Sequence, residues 1–424
     1  MKNISLSHIV VSMLFVIFIA SPMLVSVTSD TKTVSKAEKR KLAQFPKLTF
    51  SSSLLNTFPK QFEDYVDDHF GFRSQIVKKH NYTLCKIFKV SPSNMVTIGS
   101  DNWYFFNGDA AMLDYLGKIK YTDEQLAKTS RLLEDREEWL ASLGIKYLFL
   151  PIPNKEPIYE EHLPYALQAN RGKSKYEQIV GFAKQHSSFK NYIDVQQLLL
   201  DHKSENQLYL KTDSHWNHDG AYIVYQEIIQ RMQKWFPDIT PLELNSEKAW
   251  VDNFSGDLTD LMNLHGLVTE KAPDINIIKN CETKKTARLT SIKKLAAYKD
   301  LPNARLPTTS GCEKKKYKVL FIHDSFGQFL RPYFSQQFET VIFVNFLNFE
   351  VAKTLIKLEK PDIVIDERVG RNLEQALIPD PELEQTVLKM KFDRLTNILH
   401  QDNIKKVQLP QQLSYELPLN SSEI

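Results

Sequence analysis

Apolar runs alternate with amphipathic stretches along the chain from about Gly99 onward. The runs predict buried strands at residues 145–153 (IKYLFLPIP), 192–195 (YIDV), 318–322 (KVLFI), 340–346 (TVIFVNF) and 362–365 (DIVI). Before the first predicted strand, Thr122 and Gln125 form a capping-box signature for a helix that Gly144 ends. Alternating strands and helices predict an α/β fold, with a mainly parallel sheet covered by helices on both faces.

The N-terminal run Ile9–Val27 has no charged residue and would extend about 28 Å as a helix, close to the roughly 30 Å of a bilayer core. It predicts either an uncleaved membrane anchor or a cleaved signal peptide with a cleavage region near Ser29. Both alternatives export the rest of the chain. Two features bear on whether the rest of the chain lies outside the cytoplasm. The basic residues within 32–41 oppose an outside location by the positive-inside bias, whereas the position of the apolar run at the very start of the chain favours it.

The chain divides into four predicted parts. They are an anchor or signal segment at 1–29, a linker and helical extension at 30–98, an α/β domain at 99–405 and a tail at 406–424. A helix is predicted over Leu54–Arg73 in the extension. A basic insertion at about 279–316 interrupts the α/β domain.

The composition narrows the class of protein. With 424 residues, of which 42% are hydrophobic, the chain can bury a large core. The formal net charge of +3 is small for this length, so nucleic acid is not an expected partner. Cys281 and Cys312 bracket the basic insertion. They either form a disulfide, as suits an exported protein, with Cys85 as the unpaired third cysteine, or all three remain reduced thiols.

The stretch KTDSHWNHDGAY, residues 211–222, concentrates acidic and histidine side chains in one short segment. A short strand is predicted at Leu208–Leu210, and Asn217 is expected to cap the helix that follows. Asp213 and His215 should therefore lie between a strand and a helix, where open α/β sheets bind their ligands. A reactive pair is expected here.

A metal site is the alternative interpretation of this stretch. Asp213, His215, His218 and Asp219 all have side chains that can ligate a metal. A loop this short rarely directs four ligands at one centre, so we expect no metal ion.

Ser325 supplies a candidate nucleophile in the segment KVLFIHDSFGQFL. It lies between a predicted strand and a predicted helix, a turn that can expose a hydroxyl while main-chain N–H groups face a developing oxyanion. A serine needs a base, for which His215 is the candidate, with Asp213 holding the imidazole in the right tautomer. Asp324 is expected either to cap the helix after the turn or to take part in catalysis.

Six pieces of sequence carry a resemblance to a known family. They are EKRKLAQFPKL at 38–48, FEDYVDDHFGFR at 62–73, GSDNWYFF at 99–106, PIPNKEPIYEEHLP at 151–164, TDSHW at 212–216 and HDSFG at 323–327. In this order they resemble the SGNH-hydrolase-like acetyltransferases of bacterial exopolysaccharide modification, a group that includes the alginate O-acetylation proteins and the DHHW proteins. The resemblance implies an SGNH-hydrolase-like fold for the α/β domain.

The resemblance also implies catalytic roles. The family's Asp-x-His pair corresponds to Asp213 and His215, and its nucleophile corresponds to Ser325. These residues would move an acetyl group, delivered across the membrane by a membrane-bound O-acyltransferase, onto a polysaccharide hydroxyl without a cofactor. Two positions depart from the pattern, since His323 stands where many SGNH proteins have glycine and Ser214 where one branch has histidine.

The resemblance implies a place in the cell as well. The domain is expected to face the periplasm or the exterior from an inner-membrane anchor, or to be secreted to the periplasm if the N-terminal segment is cleaved.

Further candidates for substrate contact are Trp216, Arg368, Arg371, Lys314 and Lys315. Trp216 is either a packing residue or a platform for a sugar. Arg368 and Arg371 follow the predicted strand 362–365 and either orient the acceptor or form ion pairs. Lys314 and Lys315 belong to the basic insertion, which is either a solvated face or a site for an anionic glycan or lipid headgroup.

The sequence therefore leads to one preferred function and two alternatives. The preferred function is O-acetylation of a cell-surface or secreted polysaccharide. A glycan acetylesterase would use the same three residues with water as the acceptor. A catalytically silent envelope protein would bind glycan or scaffold an export complex.

Overall fold

The computed structural model describes residues 6–28, 33–35, 40–46, 52–279, 281–284, 286–345 and 349–401. The predicted tail at 406–424 lies outside the described residues. The α-helices are α1 Leu6–Thr28, α2 Ser52–His69, α3 Arg73–Thr83, α4 Ala111–Tyr115, α5 Asp123–Ser142, α6 Tyr165–Gln168, α7 Lys175–His186, α8 Val195–His202, α9 His218–Met232, α10 Asp257–Leu261, α11 Arg331–Gln337, α12 Phe349–Glu359, α13 Leu373–Ala376 and α14 Pro381–Gln401.

The strands are β1 Val34–Ser35, β2 Arg40–Lys41, β3 Val96–Ile98, β4 Tyr104–Phe106, β5 Lys146–Ile152, β6 Trp250–Phe254, β7 Glu270–Pro273, β8 Ala287–Arg288, β9 Thr308–Ser310, β10 Lys318–His323, β11 Thr340–Asn345 and β12 Ile363–Val369. Six of them form the main sheet in the order β5-β12-β10-β11-β9-β8. The strands β5, β12, β10 and β11 run parallel, whereas β9 and β8 add to one edge in the antiparallel sense.

The predicted α/β fold is confirmed, with one difference in the sheet. The sheet is mixed because the basic insertion contributes β8 and β9 to its edge. A disulfide joins Cys281 to Cys312 beside this edge, with Cα atoms 6.2 Å apart, and Cys85 is a buried free thiol. The insertion is therefore a paired and cross-linked part of the domain.

Helices cover both faces of the sheet, as predicted. Alternate residues of β10 point to opposite sides, so Phe321 packs in a core beneath α8, α9 and α11, whereas Leu320 packs in a second core with α5, α7 and α12. Every residue of β10 from Val319 to Ile322 is fully buried. A strand buried on both faces reads as a continuous apolar run, which is why its sequence predicted it well.

Two short predicted strands are wrong. At residues 192–195 the chain makes a single bridge from Tyr192 to Phe149, and Asp194 then accepts a hydrogen bond from the Gln197 N–H to cap α8. At Leu208–Leu210 the chain likewise makes one bridge, between Tyr209 and Trp216. Apolar runs of three or four residues do not distinguish a strand from the buried start of another element.

The N-terminal apolar run forms helix α1, as the sequence predicted. Its segment Leu6–Ser26 is long and apolar enough to cross a membrane, a property that anchors and signal sequences share. The predicted helix over Leu54–Arg73 forms as α2 and ends at His69, and a turn at residues 71–72 leads into α3. The predicted capping box of α5 is also present, because Thr122 accepts from the Gln125 N–H and Gln125 accepts from the Thr122 N–H.

Candidate functional site

The turn that carries Ser325 lies at the carboxyl end of β10, near the middle of the sheet. Ser325 directly precedes a 3₁₀ turn, Phe326–Phe329, which leads into α11. Asp324 holds this turn, because one carboxylate oxygen accepts the Phe326 N–H at 3.0 Å and the other accepts the Val369 N–H at 2.9 Å. The predicted helix cap is wrong, because the 3₁₀ turn begins after Ser325 and neither it nor α11 has a side-chain cap. Asp324 instead braces the turn from within and ties it to the end of β12.

The segment that carries Asp213 and His215 is a tight hairpin outside the main sheet. The Leu210 N–H donates to the His215 carbonyl at 3.2 Å, and the Asn217 N–H donates to the Leu208 carbonyl at 2.9 Å. Asn217 then caps α9 through the Gly220 N–H, as predicted. The hairpin thus projects its two polar side chains from a turn only a few residues long.

A buried ammonium and a half-buried carboxylate hold this hairpin. The Lys155 ammonium, which is 2% exposed as a residue, donates to the carbonyls of Leu210 at 3.0 Å and Asp213 at 2.6 Å. Burial lowers the pKa of Lys155 to about 8, against the attraction of nearby carboxylates. From the other side, the Glu270 carboxylate accepts the N–H groups of Lys211 at 2.9 Å and Thr212 at 2.7 Å.

The hairpin and the turn bring Asp213, His215 and Ser325 into one hydrogen-bonded chain. His215 Nε2 lies 2.7 Å from Ser325 Oγ, and His215 Nδ1 lies 2.6 Å from Asp213 Oδ1. Burial alone would raise the pKa of Asp213, but its hydrogen bond and charge interaction with His215, with two main-chain N–H donors, lower it to about 2. This arrangement can activate a serine hydroxyl, with an imidazole as base and an ionised carboxylate behind it.

A second carboxylate, which the sequence did not single out, lies beside this chain of hydrogen bonds. Asp257 begins α10, and its Oδ2 lies 3.6 Å from His215 Nδ1. It accepts the Ser214 N–H at 2.7 Å and the Ser214 hydroxyl at 2.6 Å, while its own N–H donates to Asp213 Oδ2 at 2.9 Å. A contact 44 residues away in sequence leaves no local pattern by which it can be found.

The predicted alternative of a four-ligand metal site is not what the hairpin forms. Within the described residues, the side chains that could share one ion are Asp213, His215 and Asp257. Asp219 instead pairs with Lys248, and His218 is half-buried against the rings of Phe329 and Tyr333. Neither of these two polar residues at the start of α9 belongs to the group that could share an ion with His215.

Trp216 takes the packing role, which is one of the two alternatives predicted for it, and is not a platform for a sugar. Its side chain is fully buried, and its indole N–H donates to the Phe326 carbonyl at 3.0 Å. A ring with no exposed surface cannot stack on a substrate. Trp216 instead links the hairpin to the Ser325 turn.

The two arginines have different positions. Strand β12 extends to Val369, four residues beyond the predicted end, so Arg368 lies inside the sheet, is 3% exposed and donates to the Glu367 carbonyl at 2.6 Å. Its predicted contact with an acceptor is therefore wrong. Arg371 is half-buried, and its guanidinium lies 5.2 Å from the ring centroid of Phe326, next to Ser325. Arg371 borders the site.

Lys314 and Lys315 lie at the wrong end of the sheet for a substrate contact. They precede the amino end of β10, whereas Ser325 follows its carboxyl end. Six residues of strand separate the two ends by about 20 Å. The neighbouring Lys316 pairs with Asp238 on that far side. The proposed role of these lysines at the reactive serine is therefore wrong.

Two buried ionisable groups underlie the Ser325 turn. His323 is fully buried, donates through Nδ1 to the Asp324 carbonyl at 2.7 Å, and has its pKa lowered to about 3 by burial. Glu367 accepts the Asp324 N–H at 3.0 Å, and burial raises its pKa well above the usual range. A Cβ on Gly327 would lie 2.5 Å from the His323 Cβ and 2.9 Å from the Glu367 carboxylate, so this position must be glycine for the turn to pack.

Comparisons with known proteins match this chain to one family. Residues 96–336 match the family described as the SGNH hydrolase-like domain of acetyltransferase AlgX. A probable alginate O-acetylase AlgJ of Pseudomonas putida is 25% identical over 217 residues, which cover 50% of this chain and 54% of that protein. The chain thus spans about half the length of the curated relatives it matches.

Two solved structures resemble the chain in fold. The O-acetyltransferase domain of Pseudomonas putida AlgJ has a TM-score of 0.43 and 18% identity, covering 69% of this chain and 99% of that one. A DHHW family protein from Eubacterium siraeum has a TM-score of 0.45 and 14% identity, and the match covers 62% of this chain and 88% of that one.

Proposed function

Because this chain belongs to the family of SGNH hydrolase-like acetyltransferase AlgX domains, we propose that it transfers acetyl groups to the hydroxyls of a cell-surface or secreted polysaccharide. Ser325 is the proposed nucleophile, His215 the general base and acid, and Asp213 the group that orients the imidazole. The observation that carries this proposal is the unbroken chain of hydrogen bonds from Ser325 through His215 to Asp213, at 2.7 and 2.6 Å.

The proposed reaction has two halves. In the first, His215 Nε2 takes the Ser325 proton while Oγ attacks the acetyl carbonyl, and the imidazolium returns the proton to the departing donor. In the second, a sugar hydroxyl gives its proton to His215 and attacks the acetyl-serine, and Ser325 leaves with that proton. The main-chain N–H of Ser325 is the proposed oxyanion donor, a contribution of roughly 3 kcal/mol per donor in related chemistry.

The acetyl source and the location follow from the same proposal. The apolar helix α1 would keep the domain at the inner membrane, facing the periplasm. A membrane-bound O-acyltransferase would deliver the acetyl group there. The three side chains named above suffice for acyl transfer, so the proposal includes no cofactor or metal.

Intact-mass spectrometry tests the first half-reaction. The full chain in detergent is mixed with an activated acetyl ester and compared with Ser325→Ala, His215→Ala and the control Ser91→Ala, a serine remote in sequence from the hairpin and the turn. We expect a transient acetyl adduct on the wild type and the control, none on Ser325→Ala, and strong suppression on His215→Ala. A folded wild-type chain without adduct or ester turnover would instead favour a binding or scaffold role.

The second half-reaction separates a transferase from an esterase. The acetyl-enzyme is formed as above and then challenged with acetyl-free oligosaccharides or with buffer alone. We expect the adduct to decay faster with a sugar acceptor, and the acetyl group to appear on the sugar. Decay at the same rate in both, with release of acetate alone, would assign hydrolysis.

A further inference from the structure

The loop that carries Asp257 packs directly against Asp213. Gly256 makes this possible, because a Cβ at that position would lie 2.4 Å from the Asp213 Cβ and 2.6 Å from the Thr212 carbonyl. The Asp257 N–H then donates to Asp213 Oδ2 at 2.9 Å. The backbone at this point is therefore a partner of the carboxylate that orients His215.

The two carboxylates on either side of this contact have different surroundings. Asp213 is buried and accepts from the His215 ring, the His215 N–H and the Asp257 N–H. The Asp257 side chain is 41% exposed, and within the described part of the chain its hydrogen-bond donor is Ser214. Its Oδ2, 3.6 Å from His215 Nδ1, therefore remains a charge beside the imidazole. Burial and the neighbouring charge of Asp213 raise the pKa of Asp257. Asp213 thus supplies the direct hydrogen bond, and Asp257 supplies a second, separate charge.

We propose that Asp257 is a second positioning carboxylate of the site, which locks the Asp213–His215 hairpin through Ser214 and adds its negative charge beside His215 Nδ1. The catalytic consequence rests on the proposed function. The interaction with His215 itself does not, and can be measured without any substrate.

The expected effect follows from the charges that face His215. The negative charges of Asp213 and Asp257 favour the protonated form of His215. The positive charge of Lys155, which bonds the Asp213 carbonyl, opposes it. Glu270 is farther away, because it bonds the Thr212 N–H. Replacing Asp257 by asparagine removes one favourable charge while keeping an acceptor for the Ser214 N–H. Because that charge is partly solvated, we expect its removal to move the NMR titration of His215 to lower pH by less than the loss of a fully buried charge would.

The direct test is an NMR titration of His215 in the full chain. The protein is labelled with ¹³C at histidine Cε1, the signal is assigned by its loss in His215→Gln, and wild type is compared with Asp257→Asn, Asp257→Glu and Ser214→Ala. We expect a downward shift in Asp257→Asn and recovery of most of it in Asp257→Glu. We expect no downward shift in Ser214→Ala, which removes the hydroxyl but keeps the charge. An unchanged His215 titration in folded Asp257→Asn would overturn the proposal, and so would an equal downward shift in Ser214→Ala.

The kinetic test uses the pH profile of acetyl-enzyme formation. In Asp257→Asn we expect the acidic limb to move to lower pH by the same amount and the plateau rate to fall about tenfold, because the imidazolium loses stabilisation. A lower plateau with an unmoved midpoint would reduce Asp257 to a structural residue and overturn the charge role. If wild type forms no acetyl-enzyme, the proposed function fails while the NMR titration still decides the interaction. Should Asp257→Asn not fold, the neutral Asp257→Ser variant replaces it.

Discussion

Ser325 follows the central strand of a six-stranded sheet, whereas Asp213 and His215 lie on a hairpin that pairs with no strand of that sheet. The serine turn rests mainly on β10, which is fully buried from Val319 to Ile322, and the Asp324 carboxylate braces it. The hairpin is held by charge, through the ammonium of Lys155 on one side and the carboxylate of Glu270 on the other. The two halves of one candidate site therefore differ in their balance of apolar packing and charged contacts.

This difference indicates which kind of substitution each half of the site is sensitive to. Apolar burial is indifferent to pH, and it tolerates changes of charge at a distance. A buried ammonium that satisfies main-chain carbonyls has no substitute once removed, because each carbonyl left without a partner costs about 1–3 kcal/mol. Substitutions that alter charge should thus affect the base half of the site, and substitutions that alter volume should affect the nucleophile half.

The largest effect is expected for Asp213→Asn in the base half. The amide keeps the shape but loses the charge and favours the wrong imidazole tautomer, so single-turnover acetylation should slow by about 10⁴-fold. The matched control is Asp219→Asn, six residues on, where the carboxylate pairs with Lys248. Its rate should stay within about twofold of wild type. Equal rates for the two variants would contradict the role assigned to Asp213.

Lys155→Met should come next, with an effect on both rate and stability. The variant removes the donor to Leu210 and Asp213, so we expect a loss of about 3 kcal/mol in the free energy of unfolding. We also expect acetylation to slow by about 100-fold as the hairpin shifts. Lys203→Met serves as control, because that ammonium is more exposed and pairs with Glu161. Urea unfolding measures the change in stability, and single-turnover kinetics measure the acetylation rate. A wild-type rate in folded Lys155→Met would show that the hairpin holds its geometry without the ammonium.

Reduction of the disulfide should change stability alone. Opening the loop between Cys281 and Cys312, 31 residues apart, should cost about 3–4 kcal/mol in the chain-entropy model. The acetylation rate should not change, because this loop adjoins the amino end of β10 and Ser325 follows the other end. Unfolding curves with and without dithiothreitol test this, with the Cys281→Ser, Cys312→Ser double variant as a control insensitive to the reductant. A slower rate on reduction would mean that the sheet edge couples to the site.

The smallest effect, and the sharpest contrast, is expected for two glycine-to-alanine changes. Gly327→Ala in the serine turn forces a methyl group against His323 and should cost about 1–3 kcal/mol. Gly181→Ala, in the middle of α7 with open space around it, should instead stabilise the protein by roughly 0.5–1 kcal/mol. Thermal unfolding of both variants gives the comparison. Effects of the same sign would indicate that the turn relaxes around the added methyl group.

The same contrast explains how much of the molecule the sequence predicted. The apolar run around Phe321 is contiguous, so it predicted β10 and placed Ser325 at its end. The short motif around His215 placed an acid and a base side by side. Asp257 and Lys155 were not recognised as parts of the site, because their contacts join residues more than 40 positions apart. The sequence left two roles open for Trp216 and for Arg368, because burial decides between them and depends on neighbours that a local pattern does not contain.

The hydrogen bond from the Trp216 indole to the Phe326 carbonyl couples the opening of the hairpin to the opening of the serine turn. Neither the hairpin nor the serine turn can detach without breaking it, so the site should open as one cooperative unit. The indole proton of Trp216 should therefore exchange with deuterium about as slowly as the amide protons of β10. A hydrogen-exchange measurement on this single tryptophan would report how often the whole site comes apart.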